Sequence, residues 1–286
     1  MKSLPGQLSR VVLLVLAAGL ASAILVRYSP GSLVDEREIN QKLGESSLAA
    51  LREQQAAKRN VGTAFVSYLK GVVHGDLGYS ASNNAPIGAL IADRAPTTLR
   101  ELVIGLAGGW LFALGLAVPA GRFRRAWGLD FTSSSAAGLL LCLPAALIAY
   151  LCLVAGAKAS VALIVVVAPR IFLFSRNLLV QAYNAMHVET ARARGVGEMR
   201  ILWAHVLPGA APQMLALVAV SASVAIGAAI PIEAILDVPG LGRLAWQAAM
   251  ARDITLLISL TALVAIVTTS AFALSETIQR SVGAAE

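Results

Sequence analysis

Residues 212–232 run for 21 positions without one charged side chain, and few folds tolerate such a segment. A bilayer's hydrocarbon core is crossed by about 20 apolar residues of helix, with a range of about 17–25. Five further stretches approach that standard: residues 11–26, 99–119, 133–154, 160–174 and 254–274. The first and fourth are short. Pro169 and Arg170 sit near the end of the fourth, so its helix is expected to run on towards Leu179. Charged residues make up only 14% of the chain, against 57% for AVILMFWYC, and mean hydropathy is +0.74. Soluble domains carry roughly 25% charged residues. A water-soluble enzyme, a disordered tail and a disulfide-rich secreted module are thereby excluded. Cys142 and Cys152 share one apolar run and read as small core residues rather than a disulfide or metal pair.

The net charge of +7 would suggest nucleic acid in a soluble protein, but in a membrane protein the position of the charges matters more. With the N-terminus in the cytoplasm, the short inside segments hold Lys2, Arg10, Arg122, Arg124, Arg125, Arg176, Arg192, Arg194, Arg200 and Arg280. The short outside segments hold Lys158, Arg243 and Arg252. Ten against three predicts six spans with both termini inside. A cleaved signal peptide ending near Ala21-Ser22-Ala23 is the rival reading of the first run, and it leaves the sidedness of the rest unchanged. The expected division is a first transmembrane helix over 1–26, an extracytoplasmic segment over 27–93, and a helical membrane domain over 94–280 with a cytoplasmic loop at 176–211. Residues 35–59, rich in Glu, Gln, Ala, Leu and Lys, predict solvated amphipathic helix.

Enzyme chemistry finds little to work with. None of the five lysines follows a glycine, so no phosphate-binding P-loop is present. His74, His187 and His205 have no metal-ligand spacing, and no Gly-x-Ser-x-Gly elbow occurs. The spans carry no carboxylate at depth of the kind that ion-coupled carriers use. Their Ser and Thr residues read mainly as helix-packing groups, with lining of an aqueous path as the alternative. If the chain moves a solute, the energy enters from elsewhere.

The loop after Arg176 suggests where. Residues 181–194 favour helix and end in basic side chains. Gly195 can supply the left-handed position that closes a helix, with Arg192 and Arg194 suited to the negative end of its dipole. Residues 198–206 can restart a short helix, which Pro208 is expected to limit. Further on, Pro239, Gly240 and Gly242 predict tight turns and residues 244–250 a short amphipathic helix, either a plain connector or a re-entrant lid near the outer mouth.

Glu189-Thr190-Ala191, Gly195 after a gap of three, and His205-x-Leu207-Pro208 after a further gap of nine resemble the EAA loop of binding-protein-dependent ABC importer permeases. Thr190 and His205 depart from the common pattern, and both departures are similar to the oligopeptide/dipeptide/nickel branch, which Arg192-Ala193-Arg194-Gly195 also fits. Gly75-Asp76-Leu77-Gly78-Tyr79-Ser80, Arg94-Ala95-Pro96-Thr97-Thr98-Leu99, Leu143-Pro144, and Val238-Pro239-Gly240-Leu241-Gly242-Arg243 through Arg252-Asp253 resemble further segments of that branch. The resemblance implies an all-α, six-helix, type I ABC importer permease in a bacterial inner membrane. It would form half of a translocation path for peptides or a related small solute. It implies a second, similar permease, a pair of cytosolic ATPase subunits that bind ATP and Mg, and an extracytoplasmic binding protein, with no cofactor or metal in this chain. Glu189, Thr190, Ala191, Arg192, Arg194, Gly195, Gly197, His205, Leu207 and Pro208 would dock the ATPase. Pro239, Gly240, Leu241, Gly242, Arg243 and Asp253 would shape the outer gate. A stand-alone channel or secondary carrier is the alternative class.

Overall fold

In a computed structural model, the structure describes residues 77–122 and 127–283, together with Ala17 and Ala21. The expected first span over 11–26 and the amphipathic stretch over 35–59 lie outside the described residues, Ala17 and Ala21 apart.

A two-stranded antiparallel hairpin, β1 (Tyr79–Ser80) and β2 (Ala85–Pro86), comes first. The helices α1 (Ile87–Arg122), α2 (Trp127–Cys142), α3 (Ala145–Val154), α4 (Ala159–Tyr183), α5 (Met186–Ala193) and α6 (Glu198–Ile201) follow. A π-helical turn over Leu202–Val206 leads into α7 (Leu207–Ile235), and α8 (Leu241–Met250) and α9 (Ile254–Gly283) complete the chain.

Among the described residues, four helical stretches are long and apolar enough to cross a membrane: Ile87–Gly121, Ala159–Tyr183, Glu198–Ile235 and Ile254–Ile278. The expected single span over 133–154 is instead broken, its halves meeting at 100°; if that bent pair crosses as one unit, the count is five. The break sits at Leu143–Pro144. Proline's ring disfavours helical backbone at the residue before it, and Pro144 itself is extended at φ −61°, ψ 143°, so its carbonyl opens the next helix by accepting from Leu147 and Ile148 N–H. The remaining runs are longer than their apolar cores suggest. The expected 99–119 helix begins at Ile87 and keeps Pro96 and Pro119 inside it. The expected 160–174 helix reaches Tyr183, past Arg170.

Two compact units partition the described chain: the residues up to Ala95 with Leu244–Ile266, and the residues 96–243 with those from Val267 on. In the second unit α4 is the central element, packed on α2, α3 and α7. Its inward face, Leu163, Val167, Ile171 and Leu179, is at most 1% exposed. Gly105, Gly108 and Gly109 on α1 face Leu163, Ile164 and Val167, and a Cβ on any of them would come within 2.6 Å of those side chains. Small residues at this helical spacing let two backbones approach closely, the usual basis of helix association in lipid. Ser221 serves packing as well, accepting from Trp110 Nε1 at 3.1 Å and donating to Val218 O. In the other unit the hairpin is tied by Ile87 N–H donating to Gly78 O, and Ile87, Leu244, Ala248, Leu256, Ile258 and Leu260 are buried. Leu111, Phe112, Leu139 and Val154 are 60–76% exposed, and an apolar side chain left this open belongs in lipid rather than water.

Candidate functional site

The segment between α4 and α7 forms an elbow. Helix does not run unbroken over 181–194 as expected; it stops at Tyr183 and restarts at Met186, with Ala185 extended at ψ 141°. Asn184, a poor helix former that competes for backbone hydrogen bonds, sits at the break. On α5, Val188 and Ala191 turn into the core, while Glu189, Thr190, Arg192 and Arg194 stay exposed. Thr190 Oγ1 donates to Met186 O at 2.9 Å within its own helix.

Gly195 holds φ +76°, the left-handed value expected of it. Its N–H donates to Arg192 O at 3.0 Å, and Val196 N–H donates to Ala191 O at 3.2 Å. These paired bonds satisfy carbonyls that the helix end would otherwise orphan. Arg192 then reaches across the turn to Glu198, Nε to Oε1 at 3.0 Å, joining α5 to α6. Gly197, extended, precedes α6.

Pro208 does not limit the second helix. It lies in the first turn of α7 directly after the π-helical turn, and helix runs on without a break from Glu198 into the span. That turn places His205 beside His187 of α5, ring centroids 6.2 Å apart. Leu207 is half-buried and Pro208 exposed. The elbow thus gathers all the residues expected at a docking loop into one compact piece. It also presents three that the motif does not include: Met186, Met199 and Trp203 are 83%, 68% and 67% exposed.

The far end of α7 holds a feature that reading the sequence missed. Glu233 lies at the C-terminal end of the long apolar helix, one residue beyond the expected 212–232 run, and is 1% exposed. Its Oε1 accepts from Thr98 Oγ1 at 2.7 Å, and its Oε2 accepts from Gly242 N–H at 2.7 Å and Arg243 N–H at 3.3 Å. Thr98 Oγ1 in turn accepts from Leu241 N–H at 2.7 Å. The turn after Pro239 is therefore folded onto one carboxylate. Asp237, at φ +56°, closes α7, with Val238 N–H donating to Glu233 O. The Arg243 guanidinium pairs with Asp237 at 2.6 Å. The signal available in the sequence was Glu233 itself, an acidic residue directly after an apolar run.

Asp253 is not part of that turn; it belongs with the hairpin. Its Oδ1 caps α9 by accepting from Leu256 N–H at 3.1 Å, the third residue of the helix. Its Oδ2 accepts from Ser80 Oγ at 2.7 Å, Ser82 Oγ at 2.9 Å and Ser82 N–H at 3.0 Å. Burial pushes the Asp253 carboxyl up, but the bonds from Ser82, Ser80 and Leu256 together hold it below its ordinary value. A carboxylate depressed in the folded state stabilises above its unfolded value and loses that contribution as pH falls through the folded one. Asp253→Asn is therefore expected to lower thermal stability at pH 7 by about 1.5–3 kcal/mol. The gap to wild type should narrow below roughly pH 4. A gap in melting temperature that widens on acidification would contradict this assignment.

Comparison with known proteins bears on family and fold. Residues 106–284 match the family described as binding-protein-dependent transport system inner membrane component. A Brucella suis protein named as a peptide permease is 27% identical over 273 residues, covering 84% of each chain. The oligopeptide transport system permease protein of Salmonella typhimurium is 26% identical over 268 residues, 85% of each. Its glutathione transport system permease protein is 25% identical over 224 residues, 72% of this chain and 73% of the other. An inward-facing structure of a methionine ABC transporter superposes with a TM-score of 0.62 at 20% identity, covering 68% of this chain and 96% of that one, which is a likeness of fold. The chain belongs to the inner-membrane components of binding-protein-dependent transport systems and is a multi-pass ABC importer permease.

Proposed function

We propose that this chain is half of a translocation path for small peptides, delivered by an extracytoplasmic binding protein and driven by separate ATPase subunits. The elbow carries this reading. It is a surface-exposed piece in which α5 is tied to α6 by the Arg192–Glu198 pair and α6 continues through the π-helical turn into a spanning helix, so a push on α5 has a path to α7. Its apolar Met186, Met199 and Trp203 offer an ATPase the contacts that interface centres use, and its charged Glu189 and Arg194 suit a polar rim. The likeness to peptide and glutathione permeases supports a peptide-like solute, and the chain needs no ATP site of its own. A second, similar permease would complete the path. The charge count supports a cytoplasmic elbow, cytoplasmic termini and an outer position for the 238–253 segment.

Two measurements test this reading. Purified in mild detergent, the chain should retain ATPase subunits, and in proteoliposomes the complex should accumulate labelled trialanine only with ATP and a loaded binding protein. A homo-oligomer that conducts ions with no partners would establish the channel alternative instead. In a cysteine-free background, Ala126→Cys should react with an impermeant maleimide only from the cytosol and Lys158→Cys only from outside. Swapped labelling would remove the elbow from the ATP-containing side.

A further inference from the structure

We propose that Glu233 and Thr98 are positioning residues that set the 239–243 turn for transport, acting as a hydrogen-bonded latch between that turn and the spanning helices. The inference rests on the importer reading above and adds to it Glu233, which lies outside every motif, and a role for Thr98.

Burying a carboxylate in an apolar helix is costly unless donors satisfy it. At Glu233 three donors do so, and all come from the same small region: the Thr98 hydroxyl and the Gly242 and Arg243 amides. Among the described residues no cation pairs with Glu233; the Arg243 guanidinium is engaged by Asp237. Thr98 is doubly used, donating to Glu233 and accepting from Leu241 N–H. Three consecutive amides, Leu241 to Arg243, are thus held by two side chains, one on α1 and one on α7. The fit is close, because a Cβ on Gly240 would sit against the Glu233 carboxylate and 2.5 Å from Thr98 Oγ1. A plain connector needs none of this. A turn that has to stay seated on both α1 and α7 does.

The roles separate by substitution. Thr98→Val keeps the shape and removes the hydroxyl, while Thr98→Ser keeps the hydroxyl and removes a methyl. Glu233→Gln keeps an acceptor oxygen for the two amides, and Glu233→Ala keeps none. The full complex is reconstituted with its ATPase and binding-protein partners, with labelled trialanine as the probe, and trialanine moved per ATP hydrolysed is read alongside amide hydrogen exchange of residues 241–243. Thr98→Val and Glu233→Ala should speed exchange of those amides about tenfold and lower the transport-to-hydrolysis ratio about tenfold, the worth of a buried bond lost. Thr98→Ser and Glu233→Gln should restore most of both. Exchange is read on the chain whether or not trialanine is carried, so a wild-type complex that neither hydrolyses nor transports would refute the importer reading while the latch stands or falls on exchange. Unchanged exchange in Thr98→Val, an unchanged ratio with transport and hydrolysis falling together, or Thr98→Ser behaving like Thr98→Val would overturn the positioning role.

Discussion

Gly242→Val is expected to expel the 239–243 turn from its seat and to destabilise the protein more than any other single substitution in that loop. A Cβ at Gly242 would stand 2.7 Å from Ala229 O and 2.8 Å from Ile230 Cα. Those are backbone atoms in the last two turns of α7 and cannot move without bending that helix. Overpacking of this kind costs about 1–3 kcal/mol when the neighbours can give, and here they give little. The turn can only lift away, which frees the Gly242 and Arg243 amides from Glu233 and leaves its Oε2 without a donor while Thr98 still serves Oε1, a further cost of about 1–3 kcal/mol. Gly242→Ala should show a smaller effect of the same sign. Gly240→Val should also be severe, since its new atoms meet the Glu233 carboxylate and Thr98. Gly227→Ala is the control: nothing lies within 4 Å of its Cβ position, and alanine is the better helix former. Thermal unfolding of the four purified variants checks the order. A Gly242→Val protein that melts with Gly227→Ala would mean that the turn is only loosely seated.

What the sequence disclosed and what it hid follow from the range of the interactions. Apolar runs announce spanning helices because every residue contributes to the signal, so α1, α4, α7 and α9 were all foreseeable in outline. Their ends were not, because Ile87 and Gly283 lie outside the apolar cores, where capping and tertiary contacts decide. Pro144 was visible as a proline, and its consequence, a bend of 100°, required weighing the residue before it. Gly195 was legible because left-handed closure of a helix is a local event. The break at Asn184 was hidden by good helix formers on both sides. Pro208 misled in the other direction, since a first-turn proline and a helix-stopping proline look alike until the π-helical turn is seen. The polar contacts of the site were out of reach altogether. Thr98 lies 135 residues from Glu233, and Ser80 lies 173 from Asp253. Family resemblance placed Ser80 and Asp253 in separate motifs and gave no sign that they bond.

Gly195→Val is expected to abolish coupling while leaving the membrane bundle intact. The space around Gly195 is open, with no atom within 4 Å of the point where a Cβ would stand, so packing does not forbid valine. Conformation does. At φ +76° an L-residue pays about 1–2 kcal/mol in the left-handed region, and a β-branched one more. The chain relieves that strain by leaving the region, which breaks the Gly195 and Val196 amide bonds to α5 and pulls Glu198 away from Arg192. Nothing in α4 or α7 need change. Valine should therefore insert, assemble with lipid and melt near wild type. ATP hydrolysis stimulated by loaded binding protein should fall more than about tenfold, as loss of about 1.4 kcal/mol or more of productive geometry requires. Gly195→Asn should keep much of the stimulation, because asparagine tolerates the left-handed region. Glu189→Ala should be milder if its carboxylate stays in water, where an ion pair is worth about 0–1 kcal/mol, and harsher, about 2–5 kcal/mol, if the ATPase desolvates it. The graded series Gly, Asn, Val separates backbone conformation from side-chain contact. Equal stimulation across the three would show that energy reaches α7 by some route other than this elbow.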